Sequence, residues 1–383
     1  MHRINTATAD ANANGPGKAG FRDRSGPDAP TQFNAAWCNA VQEAPAHVIE
    51  AMGIALVEGD NGQLLEAIHR ILARRAIKNI HRCRAPGSHE LIGACRQPDD
   101  AYTREVSAIV KNGANFDMLK STDYFHNVTT IASIALTDPQ EVVGCYQDYR
   151  LIRDGVNSLD YGRYTTAADF VTVAHTSDAS VYCPFYKRVY SAVTGATRHI
   201  YQSNDLSLGV LASMTSLYSS DATKVDAVLG TDEAGVVCVA IGSATNFEIL
   251  RTTDGSTFSI VFTGTATETS EAIHYLPDTD VWLVGTSERV LESTDGGATW
   301  TAVCATAELY NRSVHDGHST IFSDSTTDAK VSLDRGRTWS DYRTLVGSDR
   351  VNGTYANKRA ISLGDRWLFV REPDAWLLTG AYR

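Results

Sequence analysis

The sequence predicts a mainly β fold: a six- or seven-bladed β-propeller preceded by a small α-helical N-terminal module with an extended arm. Three observations carry that expectation. The composition changes near residue 85, from helix-spaced apolar residues to short runs of Val, Ile, Leu, Trp and Tyr separated by Asp, Gly, Ser and Thr. One turn sequence, S-x-D-x-G-x-T-W, occurs twice, at Ser293 to Trp300 and Ser332 to Trp339, with weaker copies upstream. The aspartates of the copies recur every 37 to 49 residues, the length of one four-stranded blade.

Composition bounds the function before any motif does. The chain has 383 residues, 43% hydrophobic and 21% charged, which suffices for a large buried core. Its 34 basic and 45 acidic residues give a net charge of −11, so no overall positive field gathers nucleic acid or anionic lipid. No run approaches the roughly 18 unbroken apolar residues of a membrane span, and the segment from Met1 to Asp28 has no basic start and apolar run of a secretion signal. Neither nucleic-acid binding nor membrane insertion is expected. Seven cysteines are widely spaced with no C-x-x-C, which gives a disulfide framework or a thiolate zinc site little support. The nearest approach to a ligand cluster, His81, Cys83, His89 and Cys95, fits no usual zinc spacing. We expect no metal and no cofactor.

Residues 1–33 are rich in Ala, Asn, Gly, Asp and Pro and read as an arm that is extended or docked on something else. Trp37, Val41, Ala44, Val48 and Met52 then recur at helical spacing, with Pro45 expected to kink or divide the helix and Gly53 to stop it. After a strand-like piece, Ile54 to Val57, the pair Asp60 and Gln63 looks like a capping box that opens a second stripe of Leu64, Leu65, Ile68, Ile71 and Leu72. Six basic residues (Arg70, Arg74, Arg75, Lys78, Arg82 and Arg84) follow with no acidic one between them, a pattern read mainly as a solvated helix face. The boundaries expected are an arm at 1–33, a helical module at 34–84, a linker at 85–99 and the propeller at 100–383.

Strands are expected at Val236 to Ile241, Val281 to Gly285, Arg289 to Glu292, Trp367 to Arg371 and Trp376 to Gly380. The turn between such strands fastens itself. Its Asp carboxylate accepts from the backbone N–H groups that follow, Gly supplies positive φ, the Ser or Thr hydroxyl satisfies another backbone group, and Trp seals the hairpin. The residues assigned to this role are Ser293, Asp295, Gly297, Thr299 and Trp300; Ser332, Asp334, Gly336, Thr338 and Trp339; Asp254 in the shortened copy Thr252 to Phe258; and Ser158, Asp160 and Gly162. Fainter copies contain Asp123 and Asp205. These residues resemble the Asp-box, or BNR repeat, of sialidases and other β-propellers. In that family the boxes lie on outer turns away from the central site, so the resemblance implies architecture, not catalysis.

No catalytic residue is nominated. A sialidase resemblance would call for an Arg-Ile-Pro or Arg-Leu-Pro strand early in the propeller; the Arg-Ile at Arg3-Ile4 lies in the arm and is followed by Asn5. A general glycosidase requires two carboxylates facing each other across a sugar, and no anchor motif singles out a pair. G-x-S-x-G, Walker and H-E-x-x-H patterns are absent.

The opening Met1-His2-Arg3-Ile4-Asn5-Thr6, the Gly15 to Phe21 stretch, and the segments Ala36 to Glu43, Val48 to Ile54 and Asp60 to Ile68 resemble the start of tail-fibre proteins of tailed bacteriophages, over about the first 75 residues. Pro45 and the segment Arg22 to Gln32 depart from that pattern. The resemblance implies that Arg3, Ile4, Phe21, Trp37, Val41, Leu64 and Leu65 belong to a module docking on the phage tail or baseplate. It also implies a C-terminal part that adheres to the bacterial surface, through a glycan, pilus or outer-membrane protein, and a homo-oligomer, commonly a trimer. The expected place is the virion, at the tail tip or baseplate, after assembly in the host cytoplasm. The expected function is that of a receptor-binding protein in host attachment; the alternative is a propeller glycoside hydrolase that depolymerises surface glycans. Tyr146, Tyr149, Tyr161, Tyr164, Tyr182, Phe185, Tyr186 and Tyr190 are candidates for stacking on a receptor, against the plainer reading that they pack between blades.

Overall fold

The computed structural model describes residues 35–52, 54–57, 62–65, 67, 68, 71, 80–84, 90–96, 106–112, 115–122, 127–134, 136, 139–146, 149–154, 158–163, 170–194, 199–219, 224–243, 246–310, 312–315, 317, 319–324, 329–341, 360–362, 366–372 and 375–380. The chain divides into two compact units, Met1–Leu72 and Ala73–Arg383.

In the first unit the helix α1 spans Ala35–Ala51 and runs through Pro45 without division. Proline removes one donor from the ladder, and the remaining turns carry the helix across it. At its end the carbonyl of Ile49 accepts from both Met52 N (3.1 Å) and Ile54 N (3.3 Å). Residues 54–57 are not a strand. The Gln63 side chain holds them, accepting from Val57 N at 3.1 Å and donating to the Ala55 carbonyl at 2.6 Å. Gln63 thus works away from the expected capping box, whose Asp60 lies outside the described residues. The buried residues of this short helical stretch are Gln63 and Ala67, while Leu64, Leu65 and Ile68 are 37%, 57% and 42% exposed. The expected apolar stripe therefore points outward.

The second unit contains seven four-stranded antiparallel sheets among the described residues. A lone strand, β1 (Ile80–Arg84), comes first. The first sheet is β2 (Glu90–Arg96), β3 (Val106–Asn112), β4 (Asn115–Ser121) and β5 (Thr129–Ile134). The second is β6 (Pro139–Tyr146), β7 (Tyr149–Asp154), β8 (Ser158–Arg163) and β9 (Val171–Ala174). The third is β10 (Ala179–Cys183), β11 (Arg188–Val193), β12 (His199–Ser203) and β13 (Met214–Ser219). The fourth is β14 (Lys224–Thr231), β15 (Val237–Ser243), β16 (Phe247–Thr252) and β17 (Ser259–Thr263). The fifth is β18 (Ser270–Leu276), β19 (Val281–Thr286), β20 (Val290–Ser293) and β21 (Thr301–Cys304). The sixth is β22 (Arg312–His315), β23 (Ile321–Asp324), β24 (Ala329–Ser332) and β25 (Ser340–Asp341). The seventh joins β26 (Ala360–Ser362), β27 (Arg366–Glu372) and β28 (Ala375–Gly380) to β1, which pairs with β28 from Ile80 opposite Thr379 to Arg84 opposite Ala375.

In the first six sheets the strands follow chain order from the inside out, in the seventh β1 takes the outer place after β26, β27 and β28, and the inner strands β2, β6, β10, β14, β18, β22 and β26 lie against one another in succession, with β26 against β2. Successive sheets therefore stand face to face around a ring. Both faces of a middle strand are covered, which is why β15 and β19 are buried at every position instead of alternating. Apolar layers fill the gaps from the first sheet to the sixth: Ile109, Met118 and Ile152 between the first and second sheets, Leu159, Tyr161 and Val189 between the second and third, Tyr190, Val239 and Leu250 between the third and fourth. Cys238, Ile249 and Trp282 continue the series, then Leu283, Leu309 and Ile321. Trp282 is fully buried, and emptying such a site costs about 3–5 kcal/mol.

The five strand segments read from sequence correspond to β15, β19, β20, β27 and β28. The boundaries differ. Residues 80–84, placed with the helical module, form β1, and residues 90–96, placed in a linker, form β2. The basic residues Arg82 and Arg84 accordingly sit on a strand rather than a helix.

Candidate functional site

In an antiparallel sheet of this order, the turns after the first and third strands lie at one end and those after the second and fourth at the other. The repeated Asp turns belong to the first end. Asp254 follows β16, Asp295 follows β20 and Asp334 follows β24, each in the hairpin between third and fourth strands.

Their chemistry is the same three times. Asp295 Oδ1 accepts from the backbone N–H of Ala298 (3.0 Å) and Thr299 (2.9 Å) and from Ser293 Oγ (2.8 Å), while Thr299 Oγ1 donates to Oδ2 at 2.6 Å. Ser293 Oγ accepts in turn from Gly297 N (2.9 Å), and Trp300 Nε1 donates to the Gly297 carbonyl at 3.0 Å. The Thr299 hydroxyl, partly opposed by desolvation, and the turn amides hold the Asp295 carboxyl down at about 2. Asp334 repeats the pattern with Thr338 N (2.8 Å), Thr338 Oγ1 (2.5 Å) and Ser332 Oγ (2.8 Å), and Trp339 Nε1 donates to Gly336 O at 3.0 Å. Gly297 and Gly336 both have φ of 81°, the conformation that favours glycine. In the shortened copy Asp254 accepts from Ser256 N (2.8 Å), Thr257 N (2.7 Å) and Thr252 Oγ1 (2.9 Å), and those amides hold its carboxyl well below the usual range. Phe258 stands where the other copies have Trp and is buried.

Each turn also grips the preceding sheet. Tyr186 and Tyr190 of the third sheet donate to the carbonyls of Thr253 and Gly255, both at 2.9 Å. Arg251 of the fourth donates to Gly296 O at 2.7 Å, and Arg337 reaches Glu292 of the fifth at 2.6 Å.

Ser158, Asp160 and Gly162 do not make such a turn. They lie within β8, because the pairing of β7 with β8 continues without a break from Tyr149 opposite Arg163 to Asp154 opposite Ser158. Asp160 is buried on the face that Ile152 turns to the first sheet, where it accepts from Thr172 Oγ1 with Asp154 beside it. Burial, with the neighbouring Asp154 charge, pushes the Asp160 carboxyl up to about 6. Asp205 instead caps a short 3-10 helix, Leu206–Leu208, through Ser207 N at 2.8 Å. Asp123 lies outside the described residues.

Of the tail-docking candidates, Trp37 and Val41 lie on α1, Leu64 and Leu65 are exposed, and Arg3, Ile4 and Phe21 lie outside the described residues. The aromatic candidates divide. Tyr161, Tyr182 and Tyr190 are buried between sheets, and Tyr149 stacks on Tyr161 at 5.0 Å. Phe185, edge-on to Tyr186 and 57% exposed, stays outside. Tyr164 lies outside the described residues, and Tyr146 ends β6. His81 and Cys83 fall on β1 and Cys95 on β2, in different sheets, with His89 outside the described residues.

The opposite end carries the loops between sheets, and no sequence motif marks it. Glu268 is fully buried and accepts from Arg289 Nε (2.9 Å) and Nη2 (2.7 Å) and from Thr286 Oγ1 (2.7 Å). Burial raises its carboxyl, yet the Arg289 and Thr286 hydrogen bonds outweigh that and hold it below the ordinary value. Glu288, on the turn beside it, accepts from Thr267 Oγ1 at 2.8 Å and Thr265 Oγ1 at 3.2 Å. Two loops of the fifth sheet are thereby locked into one polar platform. Nearby in the ring, His274 Nε2 and Ser313 Oγ are 2.6 Å apart, stapling β18 to β22, and burial together with His315 keeps His274 neutral. The neighbouring carboxylates Asp154 and Asp160 are both buried, so that pair does not face a sugar.

Solved structures define the class. The chain is similar to YCF48 bound to D1 peptide (TM-score 0.52, 10% identity, covering 79% of this chain and 96% of that one). It is likewise similar to a chain of the mitotic checkpoint complex (TM-score 0.51, 10% identity, 79% and 94%). A third is the extracellular domain of a putative hybrid two component system, BT4673, from B. thetaiotaomicron (TM-score 0.52, 8% identity, 79% and 39%). At such identity the likeness shows the fold alone: a β-propeller. No family model and no curated protein matches the sequence.

Proposed function

We propose that this chain is a phage tail-fibre or receptor-binding protein, whose first unit docks on the tail or baseplate and whose β-propeller adheres to the bacterial surface. The propeller is read as seven-bladed, closed by β1 on β28, with Asp-boxes at Asp254, Asp295 and Asp334. The observation that carries the reading is in the first unit. Its sequence resembles the start of tail-fibre proteins, and it turns Leu56, Val57, Leu64, Leu65 and Ile68, each 37% to 59% exposed, toward solvent while burying Gln63 and Ala67. A module that spends its large apolar side chains outside its own core is built to bury them on a partner. Adhesion then falls to the loops that the rigid ring presents, without a catalytic pair. The test is binding of the fluorescently labelled full chain to host cells and to mutants lacking surface polysaccharide, pili or single outer-membrane proteins. Saturable binding lost in one mutant class supports the reading. Equal binding to all of them, or release of reducing ends from purified host glycan, refutes it.

A further inference from the structure

Asp154 and Asp160 form a buried pair that neither the Asp turns nor the apolar layers account for. Asp154 stands opposite Ser158 and Ile152 opposite Asp160, so both aspartates lie on one face of β7 and β8, at the end of the sheet away from the Asp turns. Each is more than nine-tenths buried, and the two carboxyls are within hydrogen-bonding reach of each other. Thr172 Oγ1 donates to Asp160 Oδ1, whereas Asp160 Oδ2 is buried and accepts from no donor. A carboxylate oxygen can only accept, and leaving it unsatisfied in the interior is costly. Trp282 Nε1 and Glu292 Oε2 are also buried without a hydrogen bond, but Trp282 sits in an apolar layer and Glu292 is ion-paired with Arg337 through its other oxygen. Asp160 differs because a second carboxyl lies beside it. Two acceptors side by side demand a positive centre, either a shared proton or a cation. Burial and Asp154 push the Asp160 carboxyl up to about 6, so at neutral pH most of that proton has left.

We propose that Asp154 and Asp160 hold a calcium ion between them, with the Thr172 hydroxyl orienting Asp160. Carboxylate oxygens select a hard cation over zinc or copper. Calcium suits this place better than magnesium, because it accepts irregular coordination, while magnesium requires a near-ideal octahedron and gives up its water reluctantly. The chain's net charge of −11 raises the local concentration of any cation. Binding is an exchange: calcium enters between the carboxylates and the shared proton, where present, leaves to solvent. Among the described residues no group of three or more acidic, His or Cys side chains gathers around a common point. Two carboxylates therefore place the affinity in the weak class, about 10⁻⁴ to 10⁻³ M.

Thermal unfolding of the EDTA-treated, dialysed full chain, titrated with calcium chloride up to about 10 mM at pH 7.5 and at pH 5, tests this, a range chosen to span weak calcium sites. At pH 7.5 the midpoint of the unmodified chain rises by about 2 °C, following the ligand concentration over the dissociation constant. At pH 5 the apparent affinity falls about tenfold, because the proton at Asp160 must be displaced first. Calcium on exposed carboxylates, which stay ionised at pH 5, does not show that fall. Asp160→Asn keeps the shape, removes the charge and abolishes the response; Asp334→Asn, at the other end of the ring, retains it. No midpoint shift in the unmodified chain, an equal shift in Asp160→Asn, or one apparent affinity at both pH values overturns the proposal. The pH comparison needs only the unmodified chain, so the test stands whether or not a variant folds.

Discussion

The hydroxyl of Tyr190, on the second strand of the third sheet, donates to the carbonyl of Gly255 in the Asp254 turn of the fourth sheet at 2.9 Å. The ring is thus fastened by more than apolar layers: a self-capped turn of one sheet is held by a side chain of the sheet before it. Burial raises the Tyr190 phenol well above its ordinary value, so the donor stays protonated through the physiological range.

Tyr190→Phe keeps the ring in its pocket and deletes only that donor. Its expected cost is about 1 kcal/mol, the net worth of one hydrogen bond, visible as a lower denaturation midpoint with an unchanged urea m-value. A change in m would point to a different unfolding unit.

Asp334→Ala removes the acceptor of Thr338 N and Oγ1 and of Ser332 Oγ at a buried position. A loss of about 2–3 kcal/mol is expected by chemical denaturation, because several donors lose their partner at once. Asp334→Asn retains one acceptor oxygen and loses less.

Stability should fall as pH rises through the range set by Asp160. Its carboxyl titrates near 3.8 when unfolded and about 6 when folded, so the folded state binds the proton more tightly. The favourable contribution is whole below about pH 3.8 and is lost as pH climbs through about 6, a loss of order 3 kcal/mol. Asp160→Asn cannot ionise. Its unfolding free energy should therefore exceed that of the unmodified chain at pH 7.5 and lack this slope, as urea titrations from pH 4.5 to 8 would show.

Glu268→Ala leaves Arg289 without its buried partner at the end of the ring opposite the Asp turns. A cost of about 1–3 kcal/mol is expected, since Arg289, 27% exposed, loses its hydrogen bonds to a charged partner while keeping access to water. Hydrogen exchange should speed up in residues 264–269 and 286–289, the two loops that the pair joins.

Sequence made the propeller legible because its turn is a local device. Ser293, Asp295, Gly297, Thr299 and Trp300 bond to one another within eight residues, so their spacing alone encodes the geometry. The same frame misled at Asp160, where Ser, Asp and Gly recur at the right spacing but strand pairing with β7 claims the backbone first. The sequence around β1 reads as part of a helical module because its partner, β28, lies almost 300 residues away in the chain. Nothing local announces such a pairing. The platform at Glu268 escaped for a like reason: Glu, Thr and Arg at ordinary spacing become a site only when two loops meet. In the first unit the periodicity of Leu64, Leu65 and Ile68 was visible, but periodicity does not say which face a helix buries.

The proposed function joins a docking module and an adhesive ring in one virion protein. Immunogold electron microscopy, with antibody raised against this chain and applied to intact phage particles from its source, tests that most directly. Gold at the tail tip or baseplate is the predicted result; particles labelled nowhere on the tail, with the chain present in the infected cell, would contradict it.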